Sequence, residues 1–168
     1  MVASVVCRHP APDEGLALFR LVRACPPLDL NSAYAYHLLC RDFYETCVIA
    51  AADDRVCGFI SAYFRPAAPD TLFVWQTAVA PDERGRGLAS QMLDWLLARP
   101  VCARAKTLET TINPGNLASR TLFTRFSERR GATLETTPFL GEESFEGNDH
   151  EAEILLRITP LRAGAAPP

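Results

Sequence analysis

A chain of 168 residues, 48% hydrophobic and 22% charged, can bury one sizeable core, so a single globular domain is expected over residues 1–160. The formal net charge is −3 and lysine and arginine are scattered among acids, which argues against a nucleic-acid partner. No apolar run approaches a membrane span and residues 1–15 lack the basic start and long apolar stretch of a signal peptide, so no membrane partner and a cytoplasmic location are expected.

Segment 4–8 (SVVCR) predicts a short first strand. Asp13 is the expected cap of a helix in which Leu16, Phe19 and Val22 recur at helical spacing, and Pro26 and Pro27 end it. Asn31 is a second candidate cap, and the segment from there to Phe43 places Tyr34, Leu38 and Leu39 on one side of a helix. From Thr46 the period becomes that of strands. TCVIAA and VCGFISAYF, joined across Asp53-Asp54, predict a hairpin closed by Pro66 and Pro69. Segment 71–79 (TLFVWQTAV) adds a third β-prone run, completing an antiparallel meander.

Leu88, Met92, Trp95 and Leu96 then form a helical apolar stripe, and 107–112 returns to strand character. Strand, helix and strand in that order predict a right-handed βαβ crossover with parallel strands. Asn113-Pro114-Gly115 punctuates the chain, and residues 116–130 read as a helix with Leu117, Leu122, Phe123 and Phe126 toward the core. Glu151 to Ile158 is the last strand-like run, and 161–168, rich in Ala and Pro, is an expected disordered tail. The pattern is α+β with a mixed sheet. The six cysteines sit mostly in apolar runs and never as Cys-x-x-Cys, so they read as reduced, mostly buried side chains, and no metal is expected.

Arg84-Gly85-Arg86-Gly87-Leu88-Ala89 lies between a β-rich run and an amphipathic helix. The first N–H groups of a helix have no internal partner and sit at the positive end of its dipole, so they can hold a pyrophosphate. Gly85 and Gly87 allow the close approach, and Arg84 and Arg86 add positive charge. The plainer reading is a glycine turn that starts a helix between two solvated arginines. Of the two named phosphate motifs, the Walker pattern lacks its Gly-Lys-Ser/Thr, and the dinucleotide fingerprint has Ser90 in place of its third glycine. Glu109 falls about where a ribose-binding acid would, which keeps nucleotide binding as a minor alternative.

The loop resembles the Q/R-x-x-G-x-G/A cofactor loop of the GNAT acetyltransferases, and Asn116-Leu-Ala-Ser-Arg-Thr-Leu-Phe123 resembles their second cofactor segment. The resemblance implies a mixed, mostly antiparallel sheet flanked by helices, with a central βαβ cofactor-binding unit. It further implies acetyl-CoA as co-substrate, its pyrophosphate on the backbone of 84–89 and its pantetheine arm between the strands at 71–79 and 107–112. Val79, Leu88, Ala89, Asn116 and Phe123 join the loop as cofactor-contact candidates on the same ground.

Four further blocks, 28–50, 69–79, 109–123 and 150–158, are similar to the diaminobutyrate acetyltransferases of ectoine biosynthesis, a branch of that family. This narrower resemblance implies a homodimer that acetylates the 4-amino group of L-2,4-diaminobutyrate. It assigns Asp29, Tyr34, Trp75, Thr77 and Glu153 to the pocket of this small diamino acid, with His150 and Glu153 as candidates for the chemistry.

Such an amine, with a pKa near about 10.4, is protonated at pH 7, so a carboxylate or His must receive its proton. Backbone N–H groups of the 75–79 strand are candidate oxyanion donors. Phe123 stands where many GNAT enzymes have a tyrosine acid, so no acid is assigned. Each candidate also has a plainer reading. Asp29 reads as a helix cap, Trp75 as core, Tyr34 and Thr77 as half-buried packing, and Glu151 with Glu153 as one face of a surface strand end. A GNAT enzyme for another amine and a non-catalytic acyl-CoA-binding module are the competing functions.

Overall fold

The computed structural model describes residues 5–145 and 151–161. Along the described chain run β1 (Val5–Arg8), α1 (Gly15–Arg23), α2 (Ala33–Asp42), β2 (Val48–Ala52), β3 (Arg55–Arg65) and β4 (Ala68–Val79). They are followed by α3 (Leu88–Leu97), β5 (Thr107–Ile112), α4 (Leu117–Arg130), β6 (Thr133–Leu140) and β7 (Glu153–Thr159). The strand order is β1-β2-β3-β4-β5-β7-β6. The β1/β2, β2/β3, β5/β7 and β6/β7 pairs are antiparallel, whereas β4 and β5, joined through α3, run parallel. The expected mixed sheet and its βαβ unit are therefore present.

The chain divides into two compact units, one ending at Tyr63 and resuming over Trp75–Ala103, the other holding Phe64–Val74 and the chain from Arg104. In the first, α1 and α2 pack Leu18, Leu21, Val22, Tyr36 and Leu39 against Ile49 of β2, Phe59 of β3 and Ala78 of β4. Glu14, not Asp13, stands at the start of α1, and it accepts from Ala11 N–H at 2.6 Å and from both Arg8 Nη atoms at 2.7 and 2.8 Å. The buried face of α1 is accordingly Leu18, Leu21 and Val22, and Leu16 is exposed. Likewise Ser32 rather than Asn31 caps α2, its Oγ accepting from Ala35 N–H at 3.3 Å. That setting buries Tyr36, Leu39 and Cys40 and leaves Tyr34 70% exposed, against the expected Tyr34, Leu38 and Leu39 face.

On α3 the buried stripe is Leu88, Met92, Leu93 and Leu96, with Trp95 half-buried. A Cβ at Gly58 on β3 would come within 2.8 Å of Met92 Cε, the end of a flexible side chain of α3 that would have to shift to admit it. Pro69 does not end a strand, as expected, but lies at the start of β4, where a missing N–H is tolerated.

In the second unit, β5 is buried along almost its whole length, and α4 contributes Phe123 and Phe126 to the core. Leu117, expected in that core, is exposed, and Leu122 is half-buried. β6 was not legible in the sequence, because all of it but Leu134 is exposed and no apolar alternation marks it. β7 begins at Glu153, so Glu151 lies before the strand and does not share its alternation. Leu161, the first residue of the expected tail, is buried and its N–H donates to Lys106 O at 2.7 Å; residues 162–168 lie outside the described residues.

All six cysteines are free thiols and all but Cys7 are buried, as expected. Burial pushes the thiol of Cys47 up to about 12 and that of Cys40 up to about 11, which keeps both neutral and unreactive. Among the described residues no helix is long and apolar enough to cross a membrane.

Candidate active site

The glycine loop leads from a short 3-10 turn at Pro81–Glu83 into α3. Gly85 and Gly87 both have φ of +76°, the left-handed region that favours glycine, and a Cβ at either would meet nothing within 4 Å. Gly87 is also the N-cap of α3 and has no side chain to satisfy the first helical N–H groups. The loop thus presents unobstructed backbone donors at the positive end of a helix, which fits an anionic phosphate group.

Its arginines are less alike than their spacing suggests. Arg84 is exposed and its Nε donates to Val79 O at 3.2 Å, an acceptor that Cys25 Sγ also approaches at 3.3 Å. Arg86 instead donates to Glu83 Oε2 at 2.6 Å, and Arg55 takes the other oxygen, Oε1, at 2.7 Å. Arg86 is therefore not the unattached positive charge that its place in the loop implied. Arg55 also holds Asp82 at 2.7 Å and keeps that carboxyl below its ordinary value through the hydrogen bond. A cavity of about 520 Å³ flanks these groups, lined by Val5, Ala52, Asp53, Asp54, Arg55, Glu83 and Arg86. Arg86 is the one expected site residue in that lining.

Along β4 from Leu72, burial alternates. Leu72, Val74, Gln76 and Ala78 are buried, and Phe73, Trp75, Thr77 and Val79 lie on the other, more open face. Trp75 is 41% exposed, so the core reading of this residue fails. Thr77 Oγ1 is buried without a hydrogen-bond partner, an unusual state for a hydroxyl and one that a bound polar group would relieve. β4 registers with β5 only over Thr71–Val74, so Trp75, Thr77 and Val79 have no register partner there. Gln76 N–H donates to Ser61 Oγ and Ala80 N–H to Cys57 O, both on β3. By strand alternation the N–H groups of Trp75, Thr77 and Val79 point to the opposite edge. They remain candidate oxyanion donors, whereas that of Gln76 does not.

The corner Leu28-Asp29-Leu30-Asn31 is held by groups the sequence reading did not single out. Gln76 Nε2 donates to Asp29 O at 2.7 Å, and Tyr36 Oη donates to Gln76 Oε1 at 3.2 Å. Asn31 N–H in turn donates to Tyr36 Oη at 3.4 Å. The available signal was a glutamine inside an otherwise apolar and aromatic β-run. Asp29 does not cap α2, since Ser32 does, and its side chain lies in an exposed residue.

In the second unit Asn116 is the N-cap of α4, its Oδ1 accepting from Ser119 N–H at 3.0 Å. Phe123 is buried and packs as a core side chain. Glu153 opens β7 half-buried, opposite Leu140, and Glu151 lies beside Gly115, where a Cβ would be 3.4 Å from Oε2. His150 lies outside the described residues. Glu109, the possible ribose acid, is 1% exposed and accepts from Arg65 and Arg157 at 2.6 Å each, so it serves the sheet rather than a nucleotide. Among the described residues no group of three or more His, Cys, Asp or Glu side chains is placed to hold a metal ion.

Comparison with known proteins gives the family. Residues 16–127 match the model of the Acetyltransferase (GNAT) family. The L-2,4-diaminobutyric acid acetyltransferase of Streptomyces coelicolor is 49% identical over 158 residues, 93% of each chain. That of Bordetella parapertussis is 47% identical over 155 residues, 92% of this chain and 83% of the relative. A solved structure, the diaminobutyrate acetyltransferase EctA from Paenibacillus lautus in complex with L-2,4-diaminobutyric acid and coenzyme A, superposes with a TM-score of 0.93 at 40% identity, covering 98% of this chain and 99% of that one. The chain belongs to the GNAT acetyltransferase family and, within it, to the L-2,4-diaminobutyric acid acetyltransferases.

Proposed function

We propose that the chain transfers the acetyl group of acetyl-CoA to the 4-amino group of L-2,4-diaminobutyrate, supplying N4-acetyl-L-2,4-diaminobutyrate for ectoine synthesis. The observation that carries this reading is the correspondence, over nearly the whole chain, with the Paenibacillus enzyme solved with that diamino acid and coenzyme A. Acetyl-CoA supplies the activated acyl carbon as a thioester.

The chain's own groups have distinct tasks in this proposal. Backbone N–H groups of 85–89, with Arg84, hold the cofactor's phosphates, and Asn116 serves the second cofactor segment. Asp29 holds a substrate ammonium, with Tyr34, Trp75 and Thr77 beside it in the family assignment; the unpartnered hydroxyl of Thr77 supports a polar contact there. The reacting amine is an ammonium at neutral pH, and Glu153 or His150 receives its proton directly or through a water. The neutral nitrogen then forms its bond to the acyl carbon, the C–S bond breaks, and the second proton that the nitrogen sheds passes through solvent to the departing thiolate, giving the amide and the free thiol of coenzyme A. N–H groups of Trp75, Thr77 or Val79 stabilise the oxyanion in between. Phe123 has no proton to give, so no side chain is assigned as acid to the departing sulfur. A homodimer in the cytoplasm completes the reading.

The test is thiol release from acetyl-CoA across L-2,4-diaminobutyrate, ornithine, lysine and a polyamine, with NMR of the product. Preferred acetylation of diaminobutyrate at its 4-amino group is expected. Preference for another amine would replace the substrate, and cofactor binding without thiol release by any amine would replace the enzyme with an acyl-CoA-binding module.

A further inference from the structure

Gln76 sits on the buried face of β4, between Val74 and Ala78, where a side chain of any apolar residue of its size would fill the space. A buried amide is costly unless its donor and acceptor are both satisfied. Both are satisfied here, by groups far away in the chain. The arrangement has a direction. Asn31 N–H donates to Tyr36 Oη, Tyr36 Oη donates to Gln76 Oε1, and Gln76 Nε2 donates to Asp29 O. Asp29 O can only accept, which fixes the amide orientation, and Tyr36 is fully buried, which fixes the hydroxyl. Gln76 N–H is itself anchored to Ser61 Oγ on β3 at 3.2 Å. The corner is therefore held by Gln76 directly at Asp29 and, through the Tyr36 hydroxyl, at Asn31.

The chain neighbours of Gln76 give this tie its meaning. Trp75 and Thr77 project from the opposite face of the same strand, so whatever fixes the corner to Gln76 also fixes Asp29 relative to them. We propose that Gln76 is a positioning residue for the diamino acid, tying the Asp29 corner to β4 and thereby setting where Asp29 stands relative to Trp75 and Thr77. The inference rests on the proposal above that Asp29 holds a substrate ammonium. It requires an amide: a methionine fills the volume but cannot bridge, and a glutamate carboxylate has no N–H to donate to Asp29 O.

The test compares Gln76→Met and Tyr36→Phe with the parent protein in steady-state kinetics and in NMR amide exchange at Asn31. Gln76→Met is expected to raise KM for diaminobutyrate about tenfold, the effect of roughly one lost hydrogen bond. KM for acetyl-CoA should stay within about twofold, because the glycine loop is untouched. Tyr36→Phe should shift the same KM in the same direction, and Asn31 exchange should quicken in both. An unchanged diaminobutyrate KM, or an equal rise in both KM values, overturns the inference. If Gln76→Met does not fold, Tyr36→Phe decides alone by the same split. Failure of the parent protein to acetylate diaminobutyrate overturns the substrate reading instead, and the KM split is then read on the amine it does acetylate.

Discussion

Glu109 and Arg157 stand directly opposite each other on β5 and β7, and Arg157 Nη1 donates to Glu109 Oε1 at 2.6 Å. Arg65 occupies the other carboxylate oxygen, so a charge that is 1% exposed is neutralised on both sides. Both guanidinium groups keep more than two-fifths of their side-chain surface in solvent, so each can rehydrate if the acid is lost. Glu109→Gln should therefore lower unfolding stability by about 1–3 kcal/mol in urea titration, short of the full cost of stranding a buried charge. KM for acetyl-CoA should not move. A raised acetyl-CoA KM with parent-like stability would restore the nucleotide-binding role.

Gly87 separates backbone strain from ligand exclusion. Its φ of +76° disfavours alanine, whereas aspartate tolerates the left-handed region better. Gly87→Ala should cost about 1 kcal/mol of stability through its φ and weaken acetyl-CoA binding in part, since its Cβ meets no protein neighbour but stands where the phosphates approach the backbone. Gly87→Asp should fold at least as well yet lose binding by calorimetry, because its carboxylate repels the phosphates. Parent-like affinity in Gly87→Asp would contradict the loop assignment.

Glu153→Gln keeps the shape of the side chain at the start of β7 and removes its capacity to take a proton. Turnover of diaminobutyrate should fall by about tenfold or more, or its KM should rise, with acetyl-CoA affinity retained. Kinetics equal to the parent's would leave His150 as the remaining candidate base.

Arg8, hydrogen-bonded to Glu14, holds that carboxyl below its ordinary value. A depressed carboxylate stabilises the fold above the unfolded value, about 4.3, and that contribution disappears as pH falls through the depressed one. Arg8 is nearly half exposed, so solvent screening limits the gain to about 0.5–1 kcal/mol. Glu14→Gln should thus be less stable than the parent at pH 7, with the gap closing at acid pH. A gap that stays constant as pH falls through the depressed Glu14 value would show that the loss comes from something other than charge.

What the sequence made legible follows from range. The glycine loop, α3, β5 and the helix α4 are coded by neighbours within a few residues, and they appear where the local pattern put them. The caps of α1 and α2 fell one residue away from expectation, and the buried face of each helix is set by its packing on the sheet, which the local pattern does not carry. β6 carries no apolar period because it is an exposed edge. The tie between Tyr36 and Gln76, and the clamps on Glu83 and Glu109, join groups distant in sequence; a polar residue's partner across such a separation leaves no periodic trace. Trp75 shows the same limit from the other side, since strand alternation alone does not say which face is covered.

The two faces of β4 also bear on how this chain can change over generations. Substitutions at Leu72, Val74 and Ala78 are met at once by a packed interior, while those at Trp75, Thr77 and Val79 fall on the more open face. One strand thus carries a packed backing and a more open front, and the front can accommodate a longer or shorter amine with less disturbance to the fold than the backing. Gln76 is the exception on the backing side. Through its hold on the corner, a change there would alter selectivity from behind.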